Sequence, residues 1–359
     1  VEKLKSICDF NPEQFQAELR ENNIPGFRTG QIFCWVFDKG INDFELMTNL
    51  SKELRNKLQS FFKISPLEIK VKEVSKIDGT TKVLYQLEDG ETVESVMMIH
   101  GSMINPERIT VCVSTQVGCT MGCSFCATGL GGFKRNLTKG EIIGQVLGFQ
   151  QLVKASNQDL RVSNVVYMGM GEPLLNYDNL MASVKMLNHE DVFNISYRRI
   201  SISTCGLVPR IKKLAQEKLP LVLAISLHGA TDQVRNQIMP VNQQYPLAEL
   251  IEVCKYYVKA TGRKITFEYI MLDGLNDSVD DAAKLAGLIK GIPANVNLIP
   301  YNRVSESGHR RSNKKNVKLF ATRLAKLGIE AVVREEKGGD ISAACGQLRQ
   351  ARQENRGEL

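Results

Sequence analysis

The chain has 359 residues, a formal net charge of +7, and 43% hydrophobic against 24% charged residues, the balance of a soluble globular protein large enough for two or three domains. No apolar run reaches the roughly 20 residues that cross a bilayer, so a membrane-spanning protein is excluded as an expectation. Nine cysteines fit reactive or metal-bound thiols in a reducing cytoplasm better than a disulfide framework, and the basic excess mildly favours a polyanionic partner.

Residues 1–63 read as an all-α module. Segments 12–19 and 31–37 carry apolar residues at helical spacing, and Leu46, Leu50, Leu54 and Leu58 read as one helical stripe. Residues 64–104 change period. Segments 68–74, 81–87 and 94–99 alternate as half-buried strands do, and Asp78-Gly79 and Asp89-Gly90 supply turns, which predicts a small antiparallel sheet. From 105 to 359 the pattern is strand then helix, repeated. Strands are expected at 109–114, 164–170, 200–204, 221–227, 265–271 and 296–301, with amphipathic helices such as 139–153, 247–261, 280–290 and 313–327 between them. Such alternation implies parallel pairing with right-handed crossovers. The fold class is therefore α/β, a (β/α) barrel of six units, closed or partial, with a doubly wound sheet as the alternative. Either architecture puts the site in loops at the carboxyl ends of the strands.

The loop after the first of these strands carries Cys119, Cys123 and Cys126, a C-x3-C-x2-C run. Three thiolates suit a soft metal or iron–sulfur site. They can hold three irons of a cubane and leave the fourth open to bind and activate a substrate. No fourth cysteine follows closely as in ferredoxins, and no Cys pair or His lies near enough for zinc. Three buried cysteines on one helix face are the bland alternative, and Gly118, Gly122, Gly129, Gly131 and Gly132 argue against a helix.

Other strand ends are polar. The second runs into Gly169-Met170-Gly171-Glu172-Pro173, where glycines could admit an amino-acid ligand and Glu172 pair with its ammonium. The third ends at Ser203-Thr204-Cys205, the fourth at Ser226-Leu227-His228, the sixth at Tyr301-Asn302. Cys345 stands in a Gly- and Ala-rich segment, where a thiol is reachable and reactive. Cys112, inside a strand run, reads on its own as a small core residue, as do Cys8, Cys34, Cys205 and Cys254.

These motifs together are specific. Residues 26–32, 111–119, the cysteine loop, 134–137, 168–176, 202–206, 225–228, 297–302 and 340–348 resemble the RlmN/Cfr family of radical S-adenosylmethionine (SAM) RNA adenine methyltransferases, over nearly the whole chain. The resemblance implies a partial (β/α)6 radical-SAM barrel with an N-terminal helical RNA-binding domain and a small β extension. It implies that Cys119, Cys123 and Cys126 hold a [4Fe–4S] cluster and that Gly171, Glu172, Ser203, Ser226, Leu227, His228 and Asn302 contact SAM, two molecules of which are used per turnover. It makes Cys345 the cysteine that is methylated first and Cys112 its mechanistic partner, which replaces the core reading of Cys112. Glu94 falls where the family has a carboxylate proposed as general base. The implied substrate is an adenosine of 23S rRNA, with a tRNA adenosine beside the anticodon as a candidate second. The implied partners also include an electron donor such as flavodoxin or ferredoxin, with no membrane and a monomeric, cytoplasmic chain. Segments 171–176 and 298–302 look like the C2-methylating group rather than the C8-methylating one. The acidic pair Glu335-Glu336, before the reactive segment, lowers the expectation of a phosphate contact there. Arg28, Lys134 and Arg135 are candidate RNA contacts.

Overall fold

A computed structural model describes residues 4–102 and 106–348. The expected division between residues 104 and 105 lies outside the described residues.

The first segment holds β1 (Lys5–Ser6), α1 (Pro12–Glu21), α2 (Thr29–Phe33), α3 (Lys52–Phe61) and β2 (Phe62–Lys63). Helix α1 begins at Asn11 because a capping box closes it: the Asn11 side chain accepts from the Gln14 amide at 2.8 Å and the Gln14 side chain accepts from the Asn11 amide at 3.0 Å. The helices pack through aromatic rings. Phe15 meets Phe33 at 5.2 Å and Phe62 at 5.1 Å between centroids, and Phe37 reaches across to Phe193 of the barrel at 5.3 Å. Each such contact contributes about 0.5–1.5 kcal/mol beyond its buried area.

Two expectations fail in this segment. The Leu46–Leu58 stripe is not one helix. Ser51 accepts from the Leu54 amide and starts α3 at Lys52, so Leu46 falls in a separate 3-10 turn and is exposed while Leu58 is buried. Cys34 is exposed, not core. The buried stripe runs through Ile32, Phe33, Val36 and Phe37, and Cys34 lies off that face.

The remaining strands are β3 (Glu68–Val74), β4 (Thr81–Gln86), β5 (Thr92–Gly101), β6 (Pro106–Cys112), β7 (Gln116–Gly118), β8 (Phe133–Asn136), β9 (Asn164–Tyr167), β10 (Ile200–Thr204), β11 (Val222–Ser226), β12 (Ile265–Met271), β13 (Ala294–Pro300) and β14 (Ala331–Val333). Between them lie α4 (Ala127–Leu130), α5 (Lys139–Ser156), α6 (Tyr177–Asn188), α7 (Val208–Gln216), α8 (Asp232–Ile238), α9 (Leu247–Thr261), α10 (Val279–Leu288) and α11 (Lys314–Lys326).

One sheet contains ten of these strands, in the order β14-β13-β12-β11-β10-β9-β6-β5-β4-β3. From β6 to β14 neighbours are parallel and follow chain order, which is barrel winding; a doubly wound sheet would reverse direction at an inner strand. Strands β3 and β14 are its edges, so the barrel is open. The antiparallel strands β3–β5 are not a sheet of their own. They continue the barrel sheet through β5–β6, with Val96 opposite Cys112, Met98 opposite Thr110 and His100 opposite Arg108. A fourth unexpected feature is β14, a seventh parallel strand of three residues, too short to show a period. Among the described residues, no helix is long and apolar enough to cross a membrane.

Candidate active site

The cysteine loop opens where β7 ends. Gly118 takes φ +77° at a register break in the β7–β8 hairpin, and a Cβ there would collide with the Gly132 carbonyl. That close approach lets the Cys119 amide donate to Gly132 at 2.7 Å, while the Cys126 amide donates to the Cys123 carbonyl at 3.1 Å. Helix α4 begins only at Ala127, so the three cysteines lie on an irregular loop and not along one helix face. All three line a cavity of about 230 Å³.

The donor set of this loop fits an iron–sulfur cluster. Burial pushes the Cys119 thiol up to about 12 and raises Cys123 further, with the neighbouring cysteines adding to the effect. Thiols in such surroundings become thiolates when a metal takes them. Among the described residues no three His, Cys, Asp or Glu side chains converge as ligands of one ion would. A cubane gives each thiolate a different iron, so its ligands do not converge on a point.

Six of the seven expected SAM residues line the same cavity: Gly171, Glu172, Ser203, Ser226, His228 and Asn302. Gly171 has φ +99°, and a Cβ on it would stand 2.5 Å from the Gln116 Cβ. Glu172 is buried and accepts from the Leu174 amide at 3.0 Å and the Cys205 amide at 2.8 Å. Burial nevertheless leaves its carboxyl above the ordinary range, so a cation beside it would be welcome. The Ser203 and Ser226 hydroxyls lie 3.4 Å apart. His228 adopts the left-handed region at φ +57°, uncommon for a non-glycine residue. Its Nδ1 accepts from the Ile270 amide at 3.1 Å, and burial pushes its pKa down to about 3, so the ring is neutral. Asn302 Oδ1 is buried with no partner among the described residues, an acceptor turned toward space a ligand would fill. Leu227 differs: its side chain is fully buried in the core, and its amide and carbonyl are taken by Glu268 and Arg235.

Cys112, at the end of β6, and Cys345, more than two hundred residues later, face this one cavity. Burial lifts the Cys112 thiol to about 12, with Cys345 contributing, and burial also raises the Cys345 thiol. Cys345 is reachable by water through the cavity although protein surrounds it. Its segment is fastened at several points. Asn302 Nδ2 donates to the Cys345 carbonyl at 3.3 Å, the Ala127 amide to Gly346 at 2.8 Å, and the Thr128 hydroxyl to Leu348 at 2.6 Å. Glu94 is buried on the β5 face that carries Val96 and Met98 into the cavity, but it is not itself among the lining residues; Lys82 lies 3.4 Å from its carboxylate.

Sequence reasoning missed several groups. Glu268, mid-strand in β12, lines the cavity as a buried carboxyl held by Asn297 Nδ2 at 2.9 Å. Arg235 is fully buried: its guanidinium donates to the Cys205 carbonyl at 2.5 Å, the Leu227 carbonyl at 3.1 Å and Asn242 at 2.7 Å, tying together the loops after β10 and β11. Cys205 is buried, as expected, yet also borders the cavity, its thiol 3.1 Å from the Met121 sulfur. A polar residue in an apolar strand was the available signal for Glu268; nothing local marks Arg235. Two suggested RNA contacts are already engaged: Lys134 pairs with Glu91 at 2.8 Å, and Arg135 with Asp89 at 2.6 Å and Glu141 at 2.8 Å. Arg28 donates to Gln31 at 2.7 Å and lies over the Phe27 ring.

An open parallel barrel with a three-cysteine loop after its first strand defines the radical-SAM class of enzymes, and residues 113–286 match the family model described as the radical SAM superfamily. Residues 5–64 match a second, the ribosomal RNA large subunit methyltransferase N-terminal domain. A protein of Thermotoga maritima named a probable dual-specificity RNA methyltransferase RlmN is 47% identical over 353 residues, 98% of this chain and 100% of its own length. A Clostridium novyi protein of the same name is 44% identical over 96% of this chain and 98% of its own length. The crystal structure of a radical SAM methyltransferase from Sphaerobacter thermophilus superposes with a TM-score of 0.91 at 42% identity, covering 96% of this chain and 99% of that one. The chain belongs to the RlmN family of radical-SAM methyltransferases.

Proposed function

We propose that this enzyme methylates C2 of an adenosine in 23S rRNA, and of a tRNA adenosine as a second substrate, through a methyl group carried on Cys345. The observation that carries the proposal is that Cys112 and Cys345, far apart in sequence, face one cavity with the three-cysteine loop. The physical problem is that the amidine carbon of adenine is electrophilic and offers no nucleophile to a methyl cation. A [4Fe–4S] cluster on Cys119, Cys123 and Cys126, with two SAM molecules used per turnover, would supply both a methyl group and a 5′-deoxyadenosyl radical. Glu172, whose carboxyl two backbone amides hold in place, would pair with the SAM ammonium. Asn302 offers its unpartnered Oδ1 to a donor, and neutral His228 closes the pocket against Phe125, ring centroids 4.9 Å apart.

Cys345 takes up the methyl group by nucleophilic displacement, releasing S-adenosylhomocysteine; it would then give one methyl hydrogen atom to the 5′-deoxyadenosyl radical and present the resulting carbon radical to the adenine ring. Once the adduct has given up one electron, which the oxidised cluster would accept, Glu94 is assigned to take the ring proton and Cys112 to attack the Cys345 sulfur; the released carbon takes up a proton as the product's methyl group, and a Cys112–Cys345 disulfide is left for reduction. An electron donor such as flavodoxin or ferredoxin, a monomeric chain and a cytoplasmic location complete the reading, the last supported by free cysteines throughout.

The test is mass spectrometry of RNA from reconstituted reactions. Wild-type enzyme should yield 2-methyladenosine, and Cys345→Ala none; 8-methyladenosine would overturn the regiochemistry, and normal yield from Cys345→Ala would overturn the carrier. Cys112→Ala should accumulate a covalent protein–RNA adduct under turnover.

A further inference from the structure

Strands β5 and β6 carry a track of side chains out of the reactive cavity. Val96 and Met98 line the cavity from β5, and Cys112 lines it from β6. Residues two apart share a face, so the next cross-strand pair outward on that face is His100 opposite Arg108. Arg108 Nη2 lies 3.1 Å from His100 Nδ1, with the ring nitrogen accepting. On the other side of the opening, the segment after β14 brings Arg334 and Lys337 onto the cavity lining. Three cationic side chains and the His100 ring therefore face one mouth.

The acidic residues nearby do not neutralise them. Glu335 and Glu336 line the same opening, and Glu336 is held by Arg311 at 2.7 Å. Glu335 sits 4.0 Å from Lys337 with its side chain 87% exposed, a weak pairing. Glu107 is the extra residue of a bulge in β6 and packs against Gly101. Among the described residues, no carboxylate lies within ion-pair distance of Arg108 or Arg334, although the buried Glu268 carboxyl of the same cavity feels the Arg334 charge. The His100 pKa is lowered, first by burial, then by Arg108, Lys337 and Arg334, with Glu335 opposing, so these cations all lie close enough to act on one ring.

We propose that Arg108, His100, Arg334 and Lys337 form a phosphate-binding site at the mouth of the cavity, holding the backbone of the RNA strand whose adenosine enters it. The proposal rests on the RNA-substrate reading above. The rim offers charge and N–H donors, which suits acceptor-only phosphate oxygens, and guanidinium forks match them bidentately. Arg108 is four residues from Cys112, about 13 Å along the strand, so it grips a neighbouring part of the strand and not the base at the chemistry.

The test compares wild type with Arg108→Gln/Lys337→Gln by fluorescence anisotropy on a labelled fragment of large-subunit ribosomal RNA, over roughly 50–200 mM salt. Each lost phosphate contact lowers the slope of log K against log salt by about 0.7–0.9. Over that range the wild-type affinity should therefore fall about tenfold more than that of the double variant. Lys134→Gln, already paired with Glu91, should keep the wild-type slope. Unchanged SAM binding and iron–sulfur absorption in the double variant show that it is folded. An unchanged slope in the double variant overturns the site. So does loss of reduction by an acidic flavoprotein with the RNA slope intact, which would make this a protein-docking surface. Failure of the wild type to bind RNA overturns the functional reading itself, so the two failures are told apart by the wild-type titration.

Discussion

Asn302 is used at one end only: its Nδ2 donates to the Cys345 carbonyl at 3.3 Å, while its buried Oδ1 has no partner among the described residues. One amide thus fastens the reactive segment and presents an acceptor to the cavity beside it. A buried acceptor left unpaired costs about 1–3 kcal/mol, and a ligand that donates to it recovers part of that. Asn302→Ala should weaken SAM binding about tenfold, near 1.4 kcal/mol, as read by anaerobic calorimetry. Asn302→Asp keeps an acceptor but loses the donor to Cys345, so it should bind SAM better than the alanine variant. Wild-type affinity in Asn302→Ala would sink this assignment.

Arg235 is the second test. Its guanidinium spans three acceptors on two loops, the Cys205 and Leu227 carbonyls and the Asn242 side chain. Removing it takes the donor from the buried Cys205 carbonyl, worth about 1–3 kcal/mol, while the Leu227 carbonyl keeps the Gly229 amide at 2.7 Å; it also leaves an internal void. Arg235→Ala should destabilise the fold by roughly 3 kcal/mol in denaturant titration. Arg235→Lys should recover little, because an ammonium cannot span the three positions as a planar fork does. Stability within about 0.5 kcal/mol of wild type in the alanine variant, the range of ordinary surface changes, would remove Arg235 from this role.

These two residues show where sequence reading stops. The cysteine loop was legible because its spacing is local, and the order of the barrel strands because each strand and helix carries its own period. Cys345 announced itself by a Gly- and Ala-rich setting, whereas Cys112 looked like core because a strand cysteine at the cavity wall is buried as well. The Leu46–Leu58 stripe misled because apolar spacing is blind to the cap at Ser51 that breaks it. Arg235, Glu268 and the His100–Arg108 pair owe their surroundings to strand register and loops remote in sequence, and no local pattern encodes that.

Gly118 supplies a third prediction. Its φ of +77° and the Gly132 carbonyl against its missing Cβ fix the entry of the cysteine loop. Gly118→Ala must strain the backbone or push β8 away, and either change displaces Cys119, whose amide bonds to Gly132 at 2.7 Å. The variant should fold, since β7 and β8 form a separate two-stranded sheet, yet retain less iron per chain after anaerobic reconstitution. Full iron content with normal iron–sulfur absorption would contradict it.

The reactive segment is also clasped from the β extension, and this clasp is sensitive to pH. Asp78 accepts from the Thr80 amide at 2.9 Å and from the Gly338 amide at 3.1 Å, and Asp340 returns the contact by accepting from the Lys76 amide at 3.1 Å. Partial burial pushes the Asp78 carboxyl up, but the hydrogen bonds from Thr80, Gly338 and Ser75 outweigh it and hold the pKa below its ordinary 3.8. A group whose folded pKa is depressed adds stability that is fully present above the unfolded value and is lost as pH falls through the folded one. The stability difference between wild type and Asp78→Asn should therefore be constant from neutral pH down to about 4 and shrink below it. Urea denaturation of both proteins across that range measures it. A difference that grows on acidification, or one already lost by pH 5, would show that the Asp78 carboxylate does not hold the Gly338 turn.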